Sequence, residues 1–182
     1  MPLTLDIPDC EMFDERTLEF INVKGCRLTL EHSLVSISKW EAKWHKPFLV
    51  DSERSSEEAL DYIKFMTLTK NIDPLIYTSL SQEHLIAIRE YIKTDQTATT
   101  FSGKSNRRGP REIMTSEVLY YQMFSLGIDK ECEKWHLSRL LTLIRVFDVK
   151  NNGRANKMTP KQVAAQNKAR NQARRAKYGT KG

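Results

Sequence analysis

The clearest hydrophobic pattern in the chain lies between Cys132 and Phe147. Its apolar residues recur at intervals of three and four, the spacing that places side chains on one face of an α-helix. They are Leu137, Leu140, Leu141, Ile144 and Phe147. Further apolar residues widen this face, so the helix needs packing partners on several sides. We therefore predict a helix over this range, capped by Asp129, at the centre of a helical bundle.

Residues 1–30 show a different pattern, in which apolar and polar residues alternate. The alternation and the β-branched residues predict strands at Leu3–Ile7 and Phe20–Leu30, with a turn at Val23–Cys26. A sheet of two or three strands is marginally stable in water by itself, so we expect it to pack on helices or on another subunit. The predicted fold class is accordingly mainly α with a small N-terminal β-sheet, an α+β arrangement.

Several helices follow between residues 31 and 127, and most have a recognisable boundary. Glu31–Trp44 has a helical period and ends before Pro47, because proline lacks the N–H that a helix interior needs. Ser55 and Glu58 form the capping box of the next helix. Asp73-Pro74 starts a short helix that runs to Leu80, and Ser79 or Ser81 caps the next one. Thr115 or Ser116 starts a further helix, which Gly127 ends. We therefore expect residues 31–150 to be helical.

Charge is distributed unevenly along the chain. The formal net charge is +6, but residues 151–182 contain nine Lys and Arg and no acidic residue, which leaves 20 basic and 23 acidic residues before them. Residues 1–150 therefore form a mildly acidic globular domain with a net charge of −3, followed by a basic C-terminal arm. Thr159-Pro160 begins a predicted helix in this arm, whose apolar strip is mostly alanine and buries little area.

Candidate catalytic and metal-binding groups are sparse. Cys132 and His136 would share a face of the predicted helix, yet no further ligands stand at the spacing of a zinc site. The Gly-Lys-Ser in the polar loop Thr94–Pro110 lacks the spacer of a phosphate-binding loop. We therefore expect no catalytic residue, no cofactor and no metal. The three dispersed cysteines and the lack of an apolar leader or membrane span favour a cytoplasmic protein.

Two groups of residues are candidates for binding a partner. Trp40 and Trp44 lie on one helix side and, with Phe48, could contact another chain; packing in the domain's own core is the favoured alternative. The second group lies in the basic arm, which contains no acidic residue to balance its charge. Its members are Lys161, Lys168, Arg170, Arg174, Arg175, Lys177 and the aromatic residue Tyr178. Nucleic acid is one acidic partner that could bind there. Because the arm has a single aromatic residue, stacking on bases has little support.

Four segments of the chain are distinctive when considered together. They are LEHSLVSISKWEAKWHKPFL (Leu30–Leu49), GPREIMTSEVLYYQM (Gly109–Met123), ECEKWHLSRLLTLIRV (Glu131–Val146) and NKARNQARRAKYGTKG (Asn167–Gly182). These segments resemble a family of small proteins that tailed bacteriophages encode in their tail gene cluster. Proteins of this kind are described as tail assembly chaperones. The resemblance implies a non-catalytic protein that binds the tape measure protein in the host cytoplasm before the tail tube polymerises, and that can form oligomers along this client.

Two other functions stay open. One is a structural component of the virion, such as a connector or tail-completion protein, whose basic arm lies on a neighbouring subunit or on DNA. The other is a nucleic-acid-binding regulator. A helix–turn–helix between Ser116 and Phe147 has little support, because its second helix would be too apolar to lie in a major groove.

Overall fold

The computed structural model shows an α+β protein that is mainly helical. It describes residues 1–14, 18–50, 53–101, 113–155, 164–165 and 167–172. The chain divides into two compact units, Met1–Ile144 and Arg145–Gly182. In the part of the chain that is described, no helix is long and apolar enough to cross a lipid bilayer.

The N-terminal region forms a long, interrupted β-hairpin. Its strands are β1 (Leu3–Ile7), β2 (Cys10–Asp14), β3 (Glu19–Val23) and β4 (Cys26–Leu30). β1 pairs with β4 and β2 with β3, both antiparallel, and one register runs through the two ladders. The ladder breaks at Pro8, which has no N–H to donate. Gly25 lies opposite, where its N–H donates to Asp9 Oδ1 at 2.6 Å.

The hairpin confirms the strands predicted at Leu3–Ile7 and within Phe20–Leu30, where β3 and β4 lie, and corrects two other points. Leu3–Ile7 is a strand as predicted, whereas Cys10–Asp14 was missed. The predicted turn at Val23–Cys26 is wrong, because the chain continues in one direction there and reverses between β2 and β3. Gly25 is needed for a different reason: a Cβ at this position would lie 2.2 Å from the carbonyl oxygen of Ile7.

The helices begin where the sequence provides local caps. Their bounds are α1 (Leu34–Trp44), α2 (Ser56–Met66), α3 (Gln82–Lys93), α4 (Ser116–Ser125) and α5 (Leu137–Ala155), with 3₁₀ helices at Pro74–Tyr77 and Lys130–Lys134. Capping boxes open the first three, on Ser33, Ser55 and Ser81. Beyond α4, Gly127 adopts a φ of +68°, and the N–H of Ile128 donates to the carbonyl of Met123 at 2.9 Å. The predicted stop at this glycine is confirmed.

Helix α1 packs against α2, α4 and the Lys130–Lys134 helix. Leu34, Ile37 and Trp40 are fully buried along its length. The hairpin joins this core through β4, because Leu30 bridges to Thr67 just after α2. These contacts join the hairpin, α1 and α2 in the core of the first unit.

The predicted helix Cys132–Phe147 is interrupted in the structure. Asp129 caps a 3₁₀ helix that contains Cys132, and α5 begins only at Leu137. His136 between them pairs with Ser33 in an isolated β-bridge, and the N–H of Leu137 donates to the carbonyl of His32 at 2.7 Å. These long-range hydrogen bonds replace helical ones. The prediction that Cys132 and His136 share a helix face is therefore wrong, and the central position of this helix stays a prediction.

Candidate protein-binding groove

A concave surface with a volume of about 670 Å³ lies between α2 and α3. Its walls are formed mostly by the apolar faces of the two helices. The apolar residues of each helix lie on one face because they recur with the helical period. The apolar wall residues are Phe48, Ala59, Leu60, Tyr62, Ile63, Tyr77, Leu80, Leu85, Ile88 and Ile92. Its size falls within the range of ligand-binding clefts, about 300–1,000 Å³. We call this surface the α2–α3 groove.

Two arginines give the rim of the α2–α3 groove a positive charge. Arg54 precedes α2, and Arg89 lies on α3; both are exposed. The guanidinium of Arg54 lies 4.2 Å from the ring centroid of Phe48 and donates a hydrogen bond to the carbonyl oxygen of the same residue. This double contact holds Arg54 at the mouth of the groove. An apolar ligand with a carboxylate near its edge would fit this surface.

Tyr62 forms part of the groove wall and links it to a buried polar cluster. Its hydroxyl lies 2.5 Å from His32 Nδ1 and 3.3 Å from Ser36 Oγ. Burial raises the pKa of the Tyr62 hydroxyl. Burial, followed by the positive charges of His136 and Arg54, lowers the pKa of His32 to about 3. At neutral pH the pair is therefore uncharged.

His136 continues this cluster and is not part of the groove wall. Its ring centroid is 5.2 Å from that of His32, and Nε2 lies 3.3 Å from the carbonyl oxygen of Tyr91. A carbonyl can only accept, so Nε2 carries the proton and Nδ1 faces Ser138 Oγ at 2.9 Å. The hydroxyl of Tyr91 donates to Glu31 Oε1 at 2.7 Å. Burial also lowers the pKa of His136.

The polar cluster resembles a catalytic arrangement in composition but differs from one in geometry. Ser36 Oγ donates to the carbonyl oxygen of Ser33 at 2.8 Å, and the side chain is fully buried. A nucleophile must reach a substrate, and this hydroxyl is already engaged and inaccessible. The cluster therefore acts as hydrogen-bonded packing that ties β4 and α1 to α2, α3 and α5.

Glu41 performs a connecting role that its position in α1 does not reveal. It is buried, and Oε1 accepts from the N–H of Phe48 while Oε2 accepts from the N–H of Ser116, both at 2.7 Å. Thr115 stands at the N-cap of α4 but makes no capping hydrogen bond with its side chain. The carboxylate of Glu41, which is far from α4 in sequence, therefore caps the start of that helix. The same carboxylate fixes Phe48 at the edge of the groove.

The structure separates the three aromatic residues predicted to bind a partner. Trp40 is 1% exposed, and its indole N–H donates to the carbonyl of Glu58 at 2.9 Å. It is therefore a core residue and offers no surface to another chain. Phe48 is 6% exposed but forms part of the groove wall. Trp44 is half-buried, with Lys43 Nζ 5.4 Å from its ring centroid.

The predicted binding residues of the arm are only partly described. Lys168 and Arg170 lie in a helical stretch and are exposed. The others, Lys161, Arg174, Arg175, Lys177 and Tyr178, lie outside the described residues. The groove itself was missed in the sequence. Its signal was the pair of apolar stripes beginning after Ser55 and Ser81, but the stripes alone do not show that the space between them is left open.

Among the described residues, no group of three or more His, Cys, Asp or Glu side chains is arranged to bind a metal ion. Cys132 is buried, and burial raises the pKa of its thiol, so this thiol is a poor nucleophile. Comparison of the chain with models of protein families, with curated proteins and with solved structures finds no match. A functional proposal therefore depends on the α2–α3 groove, the charges at its rim and the sequence motifs.

Proposed function

We propose that this protein is a non-catalytic tail assembly chaperone of a tailed bacteriophage, which binds the tape measure protein in the host cytoplasm. The observation that carries the proposal is the α2–α3 groove, an open apolar surface with Arg54 and Arg89 at its rim. A tape measure protein is long and helical in this proposal, so it exposes apolar stripes before the tail tube covers them. Covering such a stripe prevents aggregation without any chemical step.

The groove suits one turn or more of an amphipathic helix. A helix carries side chains on one face at positions i, i+3, i+4 and i+7, and these would enter between Leu60 and Leu85. Acidic residues beside that stripe would meet the two arginines of the rim. Phe48 would contact the client at one end of the groove, where Glu41 holds its backbone. The partner surface is thus the groove and not Trp40.

The basic arm supplies the second contact in this proposal. Residues 151–182 contain nine basic residues and no acidic one, and Lys168 and Arg170 are exposed. An acidic segment of the client would bind there by charge, with a strength that falls as salt rises. Leu137, Leu140 and Ile144 of α5 are buried, so this part of the helix would support the bundle and not bind the client.

The groove is tested by filling it. Ala59 lies exposed in its wall on α2, so Ala59→Trp places an indole in the open space without removing a core side chain. We expect this variant to bind co-expressed tape measure protein at least about tenfold more weakly than the wild type, and to leave more of it insoluble. Affinity purification and the soluble fraction of the client are the measurements.

The matched control is Ala42→Trp, at an exposed position of α1 outside the groove wall. It should bind the client as the wild type does. The proposal fails if the wild-type chain neither retains the client nor increases its solubility. Mass spectrometry of purified particles addresses the virion alternative, because a chaperone is absent from finished particles whereas a connector is present in fixed stoichiometry. Retention on DNA at physiological salt would favour the regulator instead.

A further inference from the structure

The outer face of the β2–β3 ribbon exposes a pair of aromatic side chains. Phe13 and Phe20 are directly opposite each other in the ladder, with ring centroids 5.2 Å apart. Phe13 is 51% exposed and Phe20 72%, and Leu18 beside them is also exposed. We call Phe13, Leu18 and Phe20 the ribbon face. Contiguous apolar groups in water are characteristic of an interaction surface.

The opposite face of the same ribbon shows that this exposure is selective. Side chains alternate along a strand, so Met12 and Val23 point away from the ribbon face. Val23 is fully buried, and Met12 Sδ accepts from the hydroxyl of Thr78 at 3.5 Å. One face of the ribbon therefore packs on the rest of the first unit. The other face carries two phenylalanines, although a strand that faces water usually has polar residues there.

The charge around the ribbon face defines what can cover it. Residues 9–24 contain five acidic residues against two basic ones. Glu11 lies two residues from Phe13, on the same side of the strand, and Glu19 precedes Phe20; both glutamates are exposed. Two copies of this face would repel each other, and nucleic acid would be repelled as well. The occupant must combine a flat apolar surface with positive charge.

The chain itself contains one segment with these properties. Residues 164–165 and 167–172 are helical, and Ala165 and Ala169, four apart, share an exposed side of that helix. Alanine side chains are small, so they allow a helix backbone to approach flat aromatic rings closely. In the helix predicted from Thr159-Pro160, Lys161, Lys168 and Arg175 recur every seven residues, which predicts one row of charges beside the alanines. Lys168 is exposed in the described part of this helix, whereas Lys161 and Arg175 lie outside the described residues.

We propose that the ribbon face of one copy binds the alanine- and lysine-bearing helix of a second copy. The two surfaces differ, so the contact is heterologous and joins copies head to tail. Phe13 and Phe20 cover the alanines, while Glu11, on the same side of the ribbon, pairs with Lys168 of the described helix. This contact is separate from the α2–α3 groove and holds whether or not the protein is a chaperone.

The proposal is tested by sedimentation velocity of the full chain from about 1 to 100 μM. We expect the wild type to self-associate with rising concentration, and to do so less at high salt. The variant F13S/F20S removes the apolar surface at exposed positions, and K168E/R175E reverses two charges of the basic segment predicted from the sequence to be helical. Each should raise the dissociation constant at least tenfold. Tyr121→Ser, which removes an aromatic residue that is 72% exposed on α4, should not change it.

Mixing the two variants tests whether the ribbon face of one chain binds the helix of another. F13S/F20S keeps an intact helix, and K168E/R175E keeps an intact ribbon face, so the mixture should form a complex of two chains that grows no further. Far-ultraviolet circular dichroism checks that both variants are folded. The proposal is overturned if the wild type stays monomeric, if F13S/F20S associates as tightly as the wild type, or if the mixture forms no complex.

Discussion

The two faces of α2 differ in how the space beside them is filled. Towards α1, Met66 is buried in a core that contains the fully buried indole of Trp40, and Tyr62, whose ring forms part of the groove wall, reaches this core through its hydroxyl. Towards α3, Ala59 and Leu60 border about 670 Å³ of open space. Both faces follow the same apolar period, so the difference comes from what lies opposite. A large aromatic residue fills one side, whereas the side chains of α3 leave a groove on the other.

The filled side also contains the polar groups that fix its geometry. Trp40 donates to the carbonyl of Glu58, and Tyr62 contacts His32, so the α1–α2 contact has directional bonds as well as apolar area. On the open side, Arg54 and Arg89 stand at the rim and face water. This division suits binding through a groove, because the rigid α1–α2 contact keeps α2 in place while the α2–α3 groove stays open.

The largest expected difference between the two faces is in stability. Trp40→Ala removes a buried indole, and we expect a loss of about 3–5 kcal/mol in the free energy of unfolding. Leu85→Ala, in the half-exposed wall of the groove, should cost about 1 kcal/mol, because water already reaches that space. Urea denaturation of both variants measures the contrast. Equal losses would show that the groove is closed in solution.

A smaller effect concerns the buried histidine on the filled side. The pKa of His32 is about 3 in the folded protein, against an ordinary value near 6.5, so only the unfolded chain gains its proton between these values. The contribution of His32 to the free energy of unfolding is therefore fully present above about pH 6.5 and is lost as the pH falls towards 3. Between pH 7 and pH 5 we expect a loss of about 2 kcal/mol from this residue.

Urea denaturation at the two pH values checks this prediction, with His32→Gln as the test variant. The variant should be less stable at pH 7 but should lose less between pH 7 and pH 5 than the wild type. His136 contributes in the same direction, because burial lowers its pKa too. His45→Gln, at an exposed position outside the cluster, is the control and should keep the wild-type dependence. Identical pH dependence in His32→Gln and wild type would contradict the prediction.

The smallest effect compares how two helices begin. Ser55 accepts from the N–H of Glu58 in the capping box of α2, so Ser55→Ala should cost about 1 kcal/mol. Thr115 stands at the same position of α4 without a side-chain capping bond, and Thr115→Ala should change stability by less than about 0.5 kcal/mol. Thermal unfolding of the two variants measures the difference. A larger loss from Thr115→Ala would show that Glu41 does not replace the local cap.

Most helix boundaries could be read from the sequence because their causes are local. Ser55 and Glu58 satisfy the N–H groups of a helix start within one turn, and Gly127 permits a positive φ at a helix end. Pro47 and the Asp73-Pro74 pair act through their own backbone geometry. Each signal and its effect lie within a few residues, so no knowledge of the fold was required.

The misplaced elements depend on partners far away in the chain. His136 is extended because it pairs with Ser33, and this contact ends the helix predicted from Cys132. The break in the hairpin at Gly25 depends on the nearby backbone of Ile7. Local periodicity still describes the buried side of α5, yet it does not show where a distant strand supplies a better hydrogen bond.

Residue type and short spacing were enough to establish the mainly helical class, the capped helix starts and the difference in charge between residues 1–150 and the basic arm. The folded chain was needed to show that Trp40 is enclosed, that Glu41 caps α4 across a long separation, and that α2 and α3 leave a groove between them. Packing and long-range hydrogen bonds depend on which surfaces meet, and an apolar stripe has the same pattern whether it is covered or open.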